Sequence, residues 1–423
     1  MYDCNATLPI PATDINGVFL SHAHVDHSGR LPRLVRLGFR GPIYATQATI
    51  ELCQLLLADS AFVLKSQTFS LNQRRTRRGL PELPELYAEK DVAQTLAQMV
   101  PVQLNTPFSP VDGMSVEFLP AGHILGACSI IIRDQDCSIS YSGDLGRTDD
   151  WLLPNPAVPV SADYVILEST YGDRQHRPFS YAQSELSRNL AMTIDTGGII
   201  VIPAFSVGRS QRIIYELRAL MAGGQFPEVP IYLDSPLSIK ASEHFMAYID
   251  ELREDPRELL GDDFLDCIPV VDPEESRELL QKPGPYIVIT ASGMCEAGRV
   301  LYHLEHTLPD PRSRILFVGF CAEDTLGRQL IDGSNVVKIN GKPVNVRASI
   351  DYIDTFSAHA DQDGLVEWVH GQQDVMGVFL VHGEEDQAFA LAERLECEGS
   401  QEIVVPFTGE EFDVTTSAMR SSY

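Results

Sequence analysis

Six short apolar runs set the outline of this chain: Gly17-Val18-Phe19-Leu20, Tyr164-Val165-Ile166-Leu167, Gly198-Ile199-Ile200-Val201-Ile202, Tyr286-Ile287-Val288-Ile289, Ile315-Leu316-Phe317-Val318 and Val378-Phe379-Leu380-Val381. Their length and their β-branched and aromatic content predict buried strands rather than helices. Helical patterns fall between or after them, as in Ser210 to Met221 and Gln387 to Leu395. Strands alternating with helices predict an α/β architecture. A chain of 423 residues is too long for one simple core, so two domains, or one carrying a large insertion, are expected. The middle segment has its own strand–helix alternation and few histidines. It predicts an inserted α/β domain over 173–347, dividing a first domain into 1–172 and 348–423.

Several runs end directly in polar residues: Ser21-His22, Glu168-Ser169, Thr290-Ala291-Ser292 and His382-Gly383. Functional side chains often sit at such strand ends, where a rigid scaffold aims them. The densest cluster is Ser21-His22-Ala23-His24-Val25-Asp26-His27, with three imidazoles and a carboxylate within six residues. Neutral imidazole and carboxylate oxygen are the usual ligands of catalytic zinc. On a compact loop, alternate residues can face one metal while the following Asp-His pair faces a second. Two further groups fit this chemistry. His123 lies in Ala121-Gly122-His123-Ile124-Leu125-Gly126, whose small neighbours let the backbone approach a crowded centre. Asp144 follows Tyr141-Ser142-Gly143 at an expected strand end. A Gly-Asp pair alone is usually a turn; the combination is what points to a metal site.

The formal net charge is -27, from 32 Lys+Arg against 59 Asp+Glu. Such a balance argues against broad non-specific nucleic-acid binding. It leaves room for a local basic lining and for positive charge supplied by metal ions. The run Arg74-Arg75-Thr76-Arg77-Arg78 is the dense basic patch, expected as a solvated loop. No apolar run approaches the roughly 20 residues of a membrane helix, so no membrane partner is expected. The eight cysteines are scattered without a C-x-x-C pair, and Met1-Tyr2-Asp3-Cys4-Asn5 lacks the features of a signal peptide. Reduced thiols and a cytoplasmic location are the expectation.

The pattern His22-x-His24-x-Asp26-His27, then Gly122-His123, then Ser142-Gly143-Asp144, resembles the metallo-β-lactamase superfamily. Glu168-Ser169-Thr170-Tyr171-Gly172, Ser357-Ala358-His359-Ala360-Asp361 and Val381-His382-Gly383-Glu384 resemble motifs A, B and C of the β-CASP nucleases. That group includes the cleavage and polyadenylation endonuclease and ribonuclease J. Ala204-Phe205-Ser206-Val207-Gly208-Arg209, Asp234-Ser235-Pro236 and Ala291-Ser292-Gly293-Met294 extend the likeness, which runs over 15–410. It implies a metallo-β-lactamase αββα sandwich with an inserted α/β β-CASP domain.

The resemblance also implies two Zn2+ per chain: one on His22, His24 and His123, the other on Asp26, His27 and His382, with Asp144 bridging. His359 would be the general acid, Glu168 its orienting partner, and Asp26 an acceptor for a proton from the bridging water. The implied reaction is hydrolysis of RNA phosphodiester bonds, endonucleolytic or 5′-exonucleolytic, by a metal-bridged hydroxide, leaving 5′-phosphate and 3′-hydroxyl ends. His382 at motif C places the chain with RNA-acting rather than DNA-repair members, so single-stranded RNA is the expected partner; a homodimer is compatible with this reading.

Arg209, Ser292, Gly293 and Arg328 are candidate phosphate contacts in the insertion, with capping, turn geometry or a surface ion pair as the alternative for each. His176, His244, His303, His306 and His370 are expected as surface or structural residues, and the arginine run alternatively guides RNA. Family members usually begin with additional β-strands and an Asp-Cys-Gly motif. Tyr2-Asp3-Cys4-Asn5 resembles that motif with Asn in place of Gly, close before His22. The first strands are therefore expected to be absent, exposing a sheet edge. Two alternatives share the zinc ligands: a small-molecule ester, thioester or lactam hydrolase, and a non-catalytic scaffold. The long insertion and the Glu168–His359 pair favour nucleic acid.

Overall fold

The computed structural model describes residues 5–150, 152–225, 227–253, 261, 265–399, 402–414 and 420–422. Tyr2-Asp3-Cys4 of the expected N-terminal motif lies outside the described residues. The chain divides into two compact units, one of Met1–Thr148, Pro154–Gln175 and His359–Tyr423, the other of Asp149–Leu153 and His176–Ala358.

The first unit opens with β1 (Val18–Phe19), after which α1 (Val25–Ser28) and α2 (Leu31–Arg36) carry the chain to β2 (Ile43–Thr46). The long helix α3 (Gln47–Thr76) and then α4 (Glu89–Ala97) lead to β3 (Met99–Val102). These strands form a parallel sheet in the order β1-β2-β3, with β1 at its edge. Thr46 caps α3: its side-chain oxygen accepts from the Thr49 N–H at 3.2 Å, satisfying one of the helix's open donors. The buried stripe of α3 runs from Ala48 through Leu52, Cys53, Leu56 and Leu57 to Ala61 and stops there. By length and composition alone, α3 is long and apolar enough to cross a membrane. The inward stripe accounts for much of that apolar content. Arg74, Arg75 and Thr76 form the last turn of α3, so the basic run expected as a loop begins on a helix.

Next come β4 (Ser115–Pro120), β5 (Cys128–Arg133), β6 (Ser138–Tyr141) and β7 (Tyr164–Glu168). Phe19, Tyr44 and Val102 of the first sheet pack against buried Val116, Phe118, Cys128 and Ile130 of β4 and β5. Phe19 stacks on Tyr44 at 5.4 Å and meets Phe118 edge-on at 6.5 Å. Such aromatic pairs add to what their burial contributes.

The second unit is built on a six-stranded parallel sheet: β8 (Ile199–Pro203), β9 (Ile231–Asp234), β10 (Ile268–Pro269), β11 (Tyr286–Thr290), β12 (Arg314–Phe317) and β15 (Ser349–Tyr352), ordered β10-β9-β11-β8-β12-β15. A hairpin, β13 (Val336–Ile339) with β14 (Lys342–Asn345), precedes β15. Ile200, Ile202, Ile287, Ile289 and Leu316 face α5 (Phe179–Asp195) and α6 (Arg209–Ala222) in one core. Val201, Val288, Ile315 and Phe317 face the opposite core with α9 (Val300–Thr307) and α10 (Leu326–Ile331). Burial on both faces is why these strands read as continuous apolar runs. α7 (Pro236–Ala247) packs on β9, and α8 (Pro273–Leu279) follows β10. The unit extends past the expected limit of 347. Ser349–Tyr352 pairs with Arg314–Phe317, and Ile353 and Phe356 enter the core. Asp149–Leu153 also joins it, where Asp150 accepts from the Arg212 guanidinium.

The chain then returns to the first unit through α11 (Gln362–His370), β16 (Gly377–Val381), α12 (Glu385–Glu398) and β17 (Glu402–Val404). The sheet order is β17-β16-β7-β6-β5-β4. α11 packs on β7 and α12 on β16 and β17, completing an αββα sandwich with α3 and α4 on the far side. Tyr141 pairs with Ile166, and Val381 with Glu168. The parallel strands β6, β7 and β16 therefore end together at one sheet edge. Since Phe118 is fully buried between the two sheets, Phe118→Ala should destabilise the protein by about 3–5 kcal/mol. A lowered urea midpoint would show this; an unchanged one would contradict the packing described.

Candidate metal centre

Four backbone devices bring the polar strand ends to one place. After β1 the chain turns through Ser21-His22-Ala23-His24 into α1, which carries Asp26 and His27. Gly143 continues from β6 at φ 57°, and a Cβ there would sit 2.8 Å from the Ser21 side chain; only glycine lets Asp144 follow. Glu168 is the last residue of β7. His382 follows β16 at φ 55°, a left-handed conformation uncommon for a non-glycine residue. The Thr170 hydroxyl donates to its carbonyl at 3.0 Å and helps to hold the turn.

The ligand atoms fall into two clusters sharing Asp144. In the first, His24 Nδ1 lies 3.1 Å from His22 Nε2 and 3.1 Å from His123 Nε2. Asp144 Oδ2 lies 3.3 Å from His22 Nε2 and 3.5 Å from His123 Nε2. In the second, His27 Nε2 lies 3.2 Å from His382 Nε2 and 3.2 Å from Asp144 Oδ1. Asp26 Oδ2 lies 3.3 Å from His382 Nε2. A tetrahedral zinc site with bonds of about 2.0–2.1 Å has ligand–ligand edges of about 3.3–3.4 Å. The observed separations match such edges. Asp144 Oδ1 is buried beside His27 Nε2 and His382 Nδ1, at 3.2 and 3.5 Å, with neither in hydrogen-bonding geometry, a costly arrangement unless a cation meets it. The residues fit two metal ions.

Electrostatics agree with the chemistry of the donors. Burial lowers His22 and His123 below the ordinary imidazole value, and lowers His24 to about 3. These rings are thus held neutral, the form that binds metal. Burial would raise Asp144, but the His22 and His27 side chains outweigh it and hold it well below the carboxylate range. Burial opposes charge on His382 too, yet hydrogen bonding to Asp26 and the Asp144 charge raise it to about 9. The proton it carries would give way to a bound cation. Ser21 Oγ lies 3.1 Å from the other ring nitrogen of His22, the kind of contact that fixes a ligand's orientation.

His359 stands beside the first cluster, its ring 4.4 Å from that of His123. Its Nδ1 meets both Glu168 oxygens, at 3.1 and 3.0 Å. Burial disfavours the charged ring, and the Glu168 carboxylate overrides it, raising the His359 pKa. The Leu145 N–H donates to Glu168 Oε1 at 2.6 Å, and the Glu168 N–H donates to Ser142 Oγ at 3.0 Å. Asp144, Glu168 and His359 also converge as a third group, but the Glu168 oxygens are engaged by His359 and Leu145. Ser21, Ser142, Thr170 and the Leu145 N–H were not singled out from the sequence. Nothing but their position next to ligands distinguishes them from other polar residues.

Within the second unit the other candidates have partners of their own. Arg209 is the first residue of α6, after Gly208 at φ 78°, and its Nη1 donates to the Val318 carbonyl at 2.5 Å. The Ser292 carbonyl accepts from the Cys295 N–H at 3.1 Å, and the Gly293 carbonyl from the Cys321 thiol at 3.6 Å. Arg328 Nε donates to Asp332 at 2.8 Å in an exposed i,i+4 pair. His303 is fully buried, its Nε2 2.6 Å from Asp234 Oδ2, with Arg299 and Ser276 on the same carboxylate. It is a structural residue of the interior. His306 and His370 are exposed.

Known proteins resemble this chain in sequence and fold. Residues 6–202 match the metallo-beta-lactamase superfamily, 210–330 the Beta-Casp domain, and 343–406 the Zn-dependent metallo-hydrolase RNA specificity domain. Ribonuclease TTHA0252 of Thermus thermophilus is 37% identical over 412 residues, covering 94% of this chain and 88% of the relative. Transcription termination factor FttA of Methanosarcina mazei is 32% identical, over 90% of this chain and 60% of its own length. Cleavage and polyadenylation specificity factor 73 of Drosophila melanogaster is 27% identical, over 93% of this chain and 56% of its own length. A solved structure of a protein of unknown function from Enterococcus faecalis V583 shares the fold, with a TM-score of 0.51 at 15% identity over 96% of this chain and 81% of that one. With its sandwich, its insertion and near full-length likeness to a named ribonuclease, the chain belongs to the β-CASP group of the metallo-β-lactamase superfamily.

Proposed function

We propose that this chain is a two-zinc ribonuclease that hydrolyses single-stranded RNA and leaves 5′-phosphate and 3′-hydroxyl ends. The observation that carries this reading is Asp144 standing between two imidazole–carboxylate clusters, with a braced histidine beside them. His22, His24 and His123 would hold one ion, Asp26, His27 and His382 the other, and Asp144 both. Bound zinc supplies Lewis acidity and positive charge, making water nucleophilic near neutral pH and offsetting charge on the phosphate oxygens.

The protein's own groups do the rest. Glu168 holds His359 at Nδ1, so proton transfer from this ring proceeds through Nε2. A raised pKa keeps the acid form available, and the proton goes to the departing sugar 3′-oxygen. Asp26, exposed at the rim, accepts the proton that the attacking water loses. In the second unit, Arg209, Ser292 and Gly293 stand beyond the carboxyl ends of β8 and β11, the side on which open parallel sheets take ligands. They are proposed as contacts to the RNA backbone, with Arg328, in an exposed pair with Asp332, as a further candidate. The Glu168–His359 pair gives a leaving alkoxide its acid, which neither a scaffold nor metal binding alone requires.

If His359 is the acid, His359→Ala should keep its zinc and slow cleavage by roughly 10²–10⁴-fold. Glu168→Gln should slow cleavage in the same way with zinc content intact, as read by metal analysis beside initial rates. Wild-type rates in His359→Ala would remove it from the mechanism. For the substrate, a time course on matched RNA and DNA oligonucleotides should show faster cleavage of RNA. Equal or faster cleavage of DNA would overturn the RNA assignment while leaving the two-zinc nuclease standing.

A further inference from the structure

The inward stripe of α3 ends at Ala61, yet the helix continues to Thr76 with large groups in solvent. Phe62 and Phe69 are 69% and 64% exposed. They are seven residues apart, two helical turns, and so share a face about 10 Å apart. The helix ends in the chain's dense basic run, and Arg74, Arg77 and Arg78 are exposed. Among the described residues none of these three has a carboxylate within ion-pair distance. The segment after the helix folds back on it. The Asn72 amide donates to the Leu83 carbonyl at 2.9 Å and accepts from the Leu83 N–H at 2.8 Å, while Arg75 Nε donates to the Pro81 carbonyl at 2.7 Å. Between helix and segment lies an open cleft of about 560 Å³ lined by Phe69, Asn72, Gln73, Thr76, Arg77 and Glu82.

We propose that this outer half of α3 is an accessory binding surface for single-stranded RNA, with phosphates on Arg74, Arg77 and Arg78 and bases stacked on Phe62 and Phe69. The identity of the ligand rests on the ribonuclease reading above. Charge complementarity supports it: unpaired arginines gathered at one place in a chain of net charge -27 suit a polyanion. Exposed rings beside cations are how single strands are held without sequence readout, each stacked base contributing about 1–3 kcal/mol. In the cleft, Gln73 and Glu82 offer hydrogen-bonding groups to a base edge. A second copy of the chain fits less well. Lys65, Ser66 and Gln67 separate the two rings and are themselves exposed, so the face lacks the continuous apolar centre of a stable dimer interface of roughly 800 Å² per partner.

Helix length adds a constraint. α3 starts beside the His123 loop, where the Thr46 hydroxyl donates to the Gly126 carbonyl at 2.8 Å. Arg74 is 27 residues beyond Gln47, about 40 Å along the axis. An oligonucleotide too short to span that distance cannot use both places at once.

The test is fluorescence anisotropy with labelled single-stranded RNA of about 5 and about 30 nucleotides, on the zinc-loaded full chain carrying His359→Ala to suppress cleavage. Arg74→Ala with Arg77→Ala and Arg78→Ala should weaken binding of the long RNA roughly tenfold and lower its salt slope by about 2. Phe62→Ala with Phe69→Ala should weaken it at least roughly thirtyfold at unchanged slope, and lysine at the three arginine positions should restore most of the loss seen with alanine there. Cleavage of the short RNA by the variants, with His359 intact, should equal wild type. Unchanged affinity and slope for the long RNA would overturn the proposal. So would unchanged RNA affinity with loss of a dimer in sedimentation, or with loss of binding to anionic lipid vesicles; these would assign the face to a second copy or a membrane surface. If the wild-type chain cleaves short RNA while the variants bind long RNA as tightly, this surface alone falls. If the wild type neither binds nor cleaves RNA, the ribonuclease reading falls with it.

Discussion

The site depends on one buried carboxylate. Asp144 is 2% exposed, and its two oxygens face different imidazole groups: Oδ2 toward His22 and His123, Oδ1 toward His27 and His382. A carboxylate placed there without compensation would be costly, so the surroundings must supply positive charge. The fold places it there by strand register. β6, β7 and β16 run parallel and end at the same edge, so that Asp144, Glu168 and His382 project from neighbouring positions. The loop after β1 brings the other histidines, and the sandwich core under Phe19 and Phe118 fixes that loop against β5, where Cys128 N–H donates to the Ser21 carbonyl at 3.0 Å.

The two units follow different sheet logic. In the second, both faces of a parallel sheet are covered, and the buried Asp234 carboxylate is answered locally by His303, Arg299 and Ser276. In the first, the polar strand ends are left facing one another, with histidine nitrogens 3.1–3.2 Å apart. Two imidazole nitrogens at that distance share one proton at most, or one cation. That difference separates a carboxylate held by its own neighbours, Asp234, from one whose neighbours are gathered imidazoles, Asp144, and it points to the first unit as the one suited to receive ions.

Much of this was legible in the sequence, for physical reasons. Strands buried on both faces become continuous apolar runs, so β7, β8, β11, β12 and β16 were foreseen. β3, with Val100 and Pro101 exposed, has no such signature. β15, Ser349-Ile350-Asp351-Tyr352, does not have one either, and it lies beyond the expected limit of 347. α3 is not among the helices expected from the sequence; its apolar stripe ceases at Ala61 while the helix goes on. In the site, the His22–His27 cluster is local and declares itself. The approach of His27 and His382, 355 positions apart, follows from no spacing rule and was expected only through family resemblance. Ser21 and Thr170, which brace the ligands, are too common as residue types to be noticed before the fold is known.

The central claim is that Asp144 is shared by two metal positions within one protein. Anomalous scattering at the zinc edge from crystals of the zinc-loaded chain tests it most directly. The account predicts two peaks, one among His22, His24, His123 and Asp144, the other among Asp26, His27, His382 and the same Asp144. Loss of both peaks in Asp144→Ala crystals of otherwise unchanged fold would agree with the shared role. A single peak, or two peaks of which neither touches Asp144, would contradict it.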